Sequence, residues 1–141
     1  MTSVATARHG EVDASVARLV DWLETGEVQA GMLADDCFLD LSLPHWRIQV
    51  EGVADCLAVR REQHPFPGAV RVERVDRTEG GFVMAFEERW VAEGQTWYCR
   101  EQFAADVDPR GAITDLRVYC TGDWDEARQA EHAAEVKLIR P

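Results

Sequence analysis

The sequence has no cysteine pair at C-x-x-C spacing and no histidine pair at H-x-x-x-H spacing. Those absences argue against a zinc site and against a thioredoxin-like redox motif. His9, His45, His64 and His132 stand far apart, so no metal is expected. Apolar runs long enough to cross a bilayer as a helix are also missing, as are G-x-G-x-x-G, Walker and G-x-S-x-G sequences. Chemistry on this chain is therefore expected to use no cofactor. Met1 to Gly10 lacks the apolar stretch of a secretory signal, and a cytoplasmic protein is expected. Cys37, Cys56, Cys99 and Cys120 then read as reduced, mostly buried thiols. Basic residues are scarce: 15 Lys and Arg stand against 26 Asp and Glu, a net charge of −11. Such a surface repels phosphate backbones and anionic lipid, so neither nucleic acid nor membrane is an expected partner.

What is present is the material of one globular domain: 141 residues, 46% hydrophobic and 29% charged. Residues 1–11 are small and polar and are expected to fray; the domain proper spans 12–124 and a helix with a tail spans 125–141. Val12, Val16, Leu19, Val20 and Leu23 recur at the spacing of one helical face, ended by Thr25-Gly26. A short second helix is expected over Glu27–Leu33, where Val28 and Met32 lie four apart. Cys37–Leu43 reads as a strand stopped by Pro44, His45–Glu51 as a loop, and Val53–Gln63 as a third helix broken by Pro65, Pro67 and Gly68. The period then becomes strand-like, with Val70–Val75, Phe82–Val91, Trp97–Val107 and Ile113–Cys120 separated by glycine-rich turns. Helices followed by consecutive hairpins predict an α+β domain with an antiparallel sheet.

The order of these parts resembles the SnoaL-like, nuclear transport factor 2-like superfamily. Leu33-Ala34-Asp35-Asp36 precedes the first strand, Gly52 opens the third helix, and Gly111 to Tyr119 is similar to that group's G-K-I-x-x-x-x-x-Y last strand. The likeness covers roughly residues 12–124. It implies a cone-shaped curved sheet wrapped by three N-terminal helices around a half-apolar pocket. The superfamily includes polyketide cyclases, ketosteroid isomerases, scytalone dehydratases, limonene epoxide hydrolases and proteins without chemistry, so the fold supplies a pocket and not a reaction.

Resemblance to the epoxide hydrolases turns Val83, Ala85, Glu87, Arg89 and Val91 toward the cavity and places Glu87 and Arg89 at a charged pair. It also makes Asp40 a water-positioning group, with Arg89 as its partner. Val118 stands where those enzymes carry an aspartate, which argues against their reaction. On the next strand, Glu101 is a lone acid among Trp97, Cys99 and Phe103, a setting that raises a carboxyl pKa. Asp40, Glu87, Arg89 and Glu101 are thus the candidate catalytic residues. Phe38, His45, Trp46, His64, Trp97, Cys99, Phe103, Leu116 and Val118 are the candidate pocket wall. Phe82, Met84, Phe86 and Trp90 would lie on the opposite face, where an apolar patch predicts a homodimer.

Three readings fit. The chain is an acid–base enzyme of cyclase, isomerase or dehydratase type acting on a small apolar or aromatic metabolite, such as a natural-product intermediate. Alternatively it holds such a ligand without turning it over, or it is a dimeric interaction protein.

Overall fold

The apolar stripe from Val12 to Leu23 belongs to a helix, α1, which runs Ser3–Thr25. The structure is a computed structural model that describes residues 3–141, with residues 3–9 described by their backbone alone. Met1 and Thr2, part of the segment expected to fray, lie outside the described residues. Gly26, at φ +79°, closes α1 by donating its N–H to Trp22 O at 2.7 Å. The expected second helix over Glu27–Leu33 is absent. The segment is a turn, with Gly31 at φ +82° and a Met32 N–H to Gln29 O bond of 3.2 Å. Two positive-φ glycines leave too few residues between them to nucleate a helix.

β1 (Leu33–Leu43) and β2 (Trp46–Glu51) form a hairpin across Pro44 and His45. The segment expected to be a loop is therefore a strand: Ile48 and Val50 pack against the core while Arg47 and Gln49 alternate with them. α2 (Val53–Gln63) starts after Gly52, buries Cys56 and Val59, and stops before Pro65. β3 (Ala69–Arg77), β4 (Gly81–Ala92), β5 (Gln95–Val107) and β6 (Ile113–Cys120) follow. α3 (Glu126–Glu135) is capped by Asp125, whose side chain accepts from Arg128 N–H at 2.8 Å.

The six strands form one sheet in the order β2-β1-β6-β5-β4-β3. It is mixed rather than antiparallel, because β1 and β6 pair in parallel, Leu39 beside Leu116 and Leu41 beside Val118. Two helices precede the last four strands and the third follows them, in place of three N-terminal helices. α1 lies against β3 and β4, α2 against β1 and β2, and α3 against β5. No described helix is long and apolar enough to cross a membrane.

The core fixes which face of each strand points inward. On β4 the inner set is Phe82, Met84, Phe86, Glu88 and Trp90; the first three are wholly buried. The expectation that this set faced outward is reversed. Each large apolar side chain gains about 1.5–3 kcal/mol on burial, so three of them on one face outweigh any preference of the smaller alternate set. The apolar patch that argued for a homodimer is thus the chain's own core. Phe86→Ala should cost about 3–5 kcal/mol, whereas Val91→Ala, on the exposed side of the same strand, should stay within about 0.5 kcal/mol. Chemical denaturation of the two variants reads both values, and equal losses would contradict the register.

Candidate functional site

Alternation along β1 and β6 aims Leu39, Leu41, Leu116 and Val118 at the helices, and Phe103 of β5 joins them. Between these walls and the helices α1 and α2 lies a cavity of about 230 Å³. Pro44, Gln63, Gly122 and Asp123, all incompletely buried, mark its rim.

Into this mostly apolar space project a few polar groups. On α2, Cys56, Val59, Arg60 and Gln63 share one helical face, so Arg60 is carried inward with the apolar residues. Its guanidinium grips Glu88 of β4 in a two-point clamp, Nη1 to Oε2 at 3.0 Å and Nη2 to Oε1 at 2.7 Å. Nη2 also donates to Leu23 O of α1 at 3.1 Å. Burial alone would raise the Glu88 pKa, but Arg60 reverses this and holds the carboxyl below its usual value.

His64 follows the last turn of α2, its backbone N–H bonded to Arg60 O at 2.8 Å and its ring edge-on to Trp90 at 4.0 Å between centroids. Only 9% of the residue is exposed, and neither ring nitrogen has a partner among the described residues. Burial first, and then the Arg60 charge, lower its pKa to about 4. The imidazole therefore stays neutral well below its ordinary titration range.

Glu101 is displaced in the opposite direction. Burial, reinforced by the neighbouring Glu88 charge, raises its carboxyl well above the usual range. Behind it, the Cys99 thiol donates to Oε1 at 3.3 Å. At the rim, the Asp123 carboxyl opens to solvent, yet the protein packed around it and the Glu88 charge raise its pKa as well.

Asp40, Glu87 and Arg89 do not enter this cavity. Asp40 lies on the β1 face opposite Leu39 and Leu41, and its partner is Arg47 rather than Arg89. Arg47 Nε and Nη2 donate to its two oxygens at 2.8 and 2.6 Å, Gln49 Nε2 adds a bond of 3.1 Å, and these donors, Arg47 foremost, hold its pKa at about 2. Glu87 accepts from Arg71 Nε at 2.9 Å and from Tyr98 Oη at 2.6 Å on the outer face of the sheet. Arg89 stands over the Tyr98 ring at 4.5 Å and 3.7 Å from Glu87. The reversed register of β4 is the reason: an inward Glu88 requires outward neighbours.

Of the remaining candidates, His64, Glu101, Phe103, Leu116 and Val118 line the cavity. Phe38 lies on the Asp40 side of β1, His45 is exposed in the hairpin turn, and Trp46 is 70% exposed. Trp97 shares the inner face but sits past the cavity's end, its ring stacked on Trp90 and its Nε1 bonded to Ala92 O at 3.0 Å. Arg60, Glu88 and Asp123 were not foreseen. The signal for Glu88 was an acid between Phe86 and Trp90 on the bulkier face of its strand, which must find a cation if buried. Arg60, four residues beyond Cys56, was the cation to test against it.

Among the described residues, one group of three could converge on a metal ion: Cys99, Glu101 and Cys120, with donor atoms all within 4.8 Å of one another. A closed tetrahedral site needs a fourth donor, and no described His, Cys, Asp or Glu joins this group.

No family model and no curated protein matches the sequence. Solved structures do match in shape. The chain is similar to SalBIII, an epoxide hydrolase/cyclase-like enzyme of pyran ring formation in the polyether salinomycin, with a TM-score of 0.68, 13% identity, and 84% of this chain and 99% of that one covered. It is likewise similar to a Δ5-3-ketosteroid isomerase from Mycobacterium sp., with a TM-score of 0.63 and 19% identity over 82% of this chain and 98% of that one. A putative SnoaL-like polyketide cyclase from Jannaschia sp. gives 0.62 and 16% over 92% and 94%. The six-stranded mixed sheet and its three helices have the SnoaL-like, nuclear transport factor 2-like fold.

Proposed function

We propose that the chain is an enzyme that moves protons on a small, largely apolar metabolite, as in cyclisation, isomerisation or dehydration. One observation carries this reading: burial has inverted the ordinary order of two titratable groups facing one apolar cavity. The carboxyl of Glu101 keeps its proton beyond the usual carboxylate range, while the imidazole of His64 gives up its own early. Environments that drive an acid and a base apart in this way assign their roles.

In this mechanism Glu101 donates to an oxygen of the substrate, a carbonyl or a departing hydroxyl. His64, whose ring nitrogens have no other partner among the described residues, accepts a proton from carbon. Arg60 and Glu88 neutralise one another and tie α2 to β4 at the end of the cavity wall that carries them. The apolar walls select a ligand without charge. SalBIII and the ketosteroid isomerase have the same fold, which supports the class of chemistry without naming the substrate.

The inversion has a thermodynamic signature. A His64 pKa of about 4 in the fold, below the 6.5 of an unconstrained histidine, means that the unfolded chain binds more protons between those values. Stability should therefore fall as pH drops from 6.5 toward 4, by about 3 kcal/mol from this group. Glu101 has the opposite sign: its raised pKa makes the unfolded chain the one that releases a proton, so stability falls as pH rises above the usual carboxylate value. Thermal melting across pH should show His64→Leu flattening the acid limb and Glu101→Gln flattening the alkaline one. An acid limb left intact by His64→Leu would contradict the neutral imidazole.

For turnover, a suitable probe is cyclohexanone in D₂O, with hydrogen exchange next to the carbonyl followed by NMR. The native chain should exceed Glu101→Gln and His64→Leu by about 10²–10⁴-fold. Equal rates in all three, with the ketone bound to each, would reduce the protein to a ligand-holding module.

A further inference from the structure

We propose that Cys120 is a nucleophilic thiol of the cavity wall that takes up α,β-unsaturated carbonyl compounds as thioethers. The proposal uses the same cavity, and it rests on Glu101 as proton donor only for the rate of bond formation.

Cys120 ends β6 on the inner side, in line with Leu116 and Val118, and reaches the cavity. It is the one cysteine of the four that is not fully buried. Gly122 N–H lies 3.4 Å from its Sγ and points a donor at it. The Cys99 thiol and the Glu101 carboxyl have atoms within 4.8 Å of the same sulfur. The Gly122 N–H donor beside the sulfur stabilises its thiolate, the form that attacks carbon. The direction of its pKa agrees: the adjacent Cys99 thiol first, against the opposing effect of burial, and then the Gly122 N–H lower it below an ordinary thiol. Cys37, which also lines the cavity, is raised to about 12 by burial and stays a thiol.

A second, independent feature says that a polar ligand group belongs in this space. His64 is 91% buried, lines the cavity and leaves both nitrogens unpaired among the described residues. A buried imidazole in that state lacks a partner that a ligand oxygen would supply. Most of the remaining wall is apolar, which suits a neutral ligand with one polar atom. Soft sulfur and a protonated carboxyl side by side match the two ends of a conjugated C=C–C=O unit.

The bonds balance without a redox partner. The Cys120 thiol loses its proton to solvent at the rim, and the sulfur lone pair forms a bond to the β-carbon. The π electrons of the C=C bond shift to give an enolate, whose oxygen takes the Glu101 proton. Tautomerisation returns a proton to the α-carbon and solvent reprotonates Glu101. The sum is addition of S–H across C=C.

The test uses the full chain and cyclohexenone as the probe, read by intact mass and by peptide mapping. One adduct is expected, on the peptide carrying Cys120, and formed at least roughly tenfold faster than on N-acetylcysteine at the same pH. Cys120→Ser and Cys120→Ala should lose it while melting like the native chain. Glu101→Gln should slow the adduct without moving it; an unchanged rate would remove Glu101 as the acid and leave the thiol standing. Labelling spread over Cys37, Cys56 and Cys99, or a Cys120 rate no higher than in the urea-unfolded chain, would overturn the proposal.

Discussion

The buried clamp between Arg60 and Glu88 is the constraint around which the rest of the cavity is arranged. It joins α2 to β4, and through Leu23 O it also reaches α1, so three elements meet at one guanidinium. Arg60 and Glu88 are 15% and 3% exposed in their side chains, and removing one partner of such a pair leaves a charge stranded at a cost of about 3–5 kcal/mol. The clamp also adds to the electrostatics. Burial acts first at both neighbours; the Arg60 charge then furthers the lowering at His64 and the Glu88 charge the raising at Glu101. A neutral pair of charges thus acts on its two neighbours in opposite directions, the Arg60 contribution prevailing at His64 and the Glu88 contribution at Glu101.

The other face of the sheet follows different physics. There Asp40 with Arg47, Glu87 with Arg71 and Tyr98, and Glu73 with Arg100 each pair a mostly buried carboxylate with an exposed guanidinium. Solvent screens these contacts, and they contribute far less than buried ones. Their value is negative: a surface of paired charges on the strands keeps the outer face from presenting a continuous apolar area. Both faces carry carboxylates, yet burial outweighs the available donors at Glu101 on the inner face, whereas Arg60 holds Glu88 and Arg47 holds Asp40 below the usual range.

Much of the fold could be read from punctuation. Pro65, Pro67 and Gly68 separate helix from sheet, and the glycine-rich turns divide β3 to β6 within a residue or two of their observed limits. The errors have physical causes. Val28 and Met32 imitate a helical repeat, yet Gly26 and Gly31 leave it no length. Trp46 to Glu51 alternates as a strand should, but the hairpin that pairs it is a non-local fact. On β4 both alternating sets contain apolar residues, so the face could be decided only by bulk. Analogy with the hydrolases favoured the small set, and the volume of Phe82, Met84 and Phe86 decided for the other. Glu101 was legible because its whole alternating set is apolar. Arg60 was not, because a cation on a helix otherwise rich in charge carries no local mark of burial.

The parallel pairing of β1 with β6 has a consequence for how the molecule comes into being. The two neighbouring strands that make the cavity's apolar wall come from distant parts of the chain, Leu39 and Leu41 early and Leu116 and Val118 late. During synthesis the first wall must wait, unpaired along one edge, until more than half the protein has followed it. Contacts so distant in sequence are slow to form, and an apolar strand edge exposed in the meantime is a site for wrong pairing. The cavity therefore cannot close before β6 has been made, and no fragment that stops short of β6 can possess it.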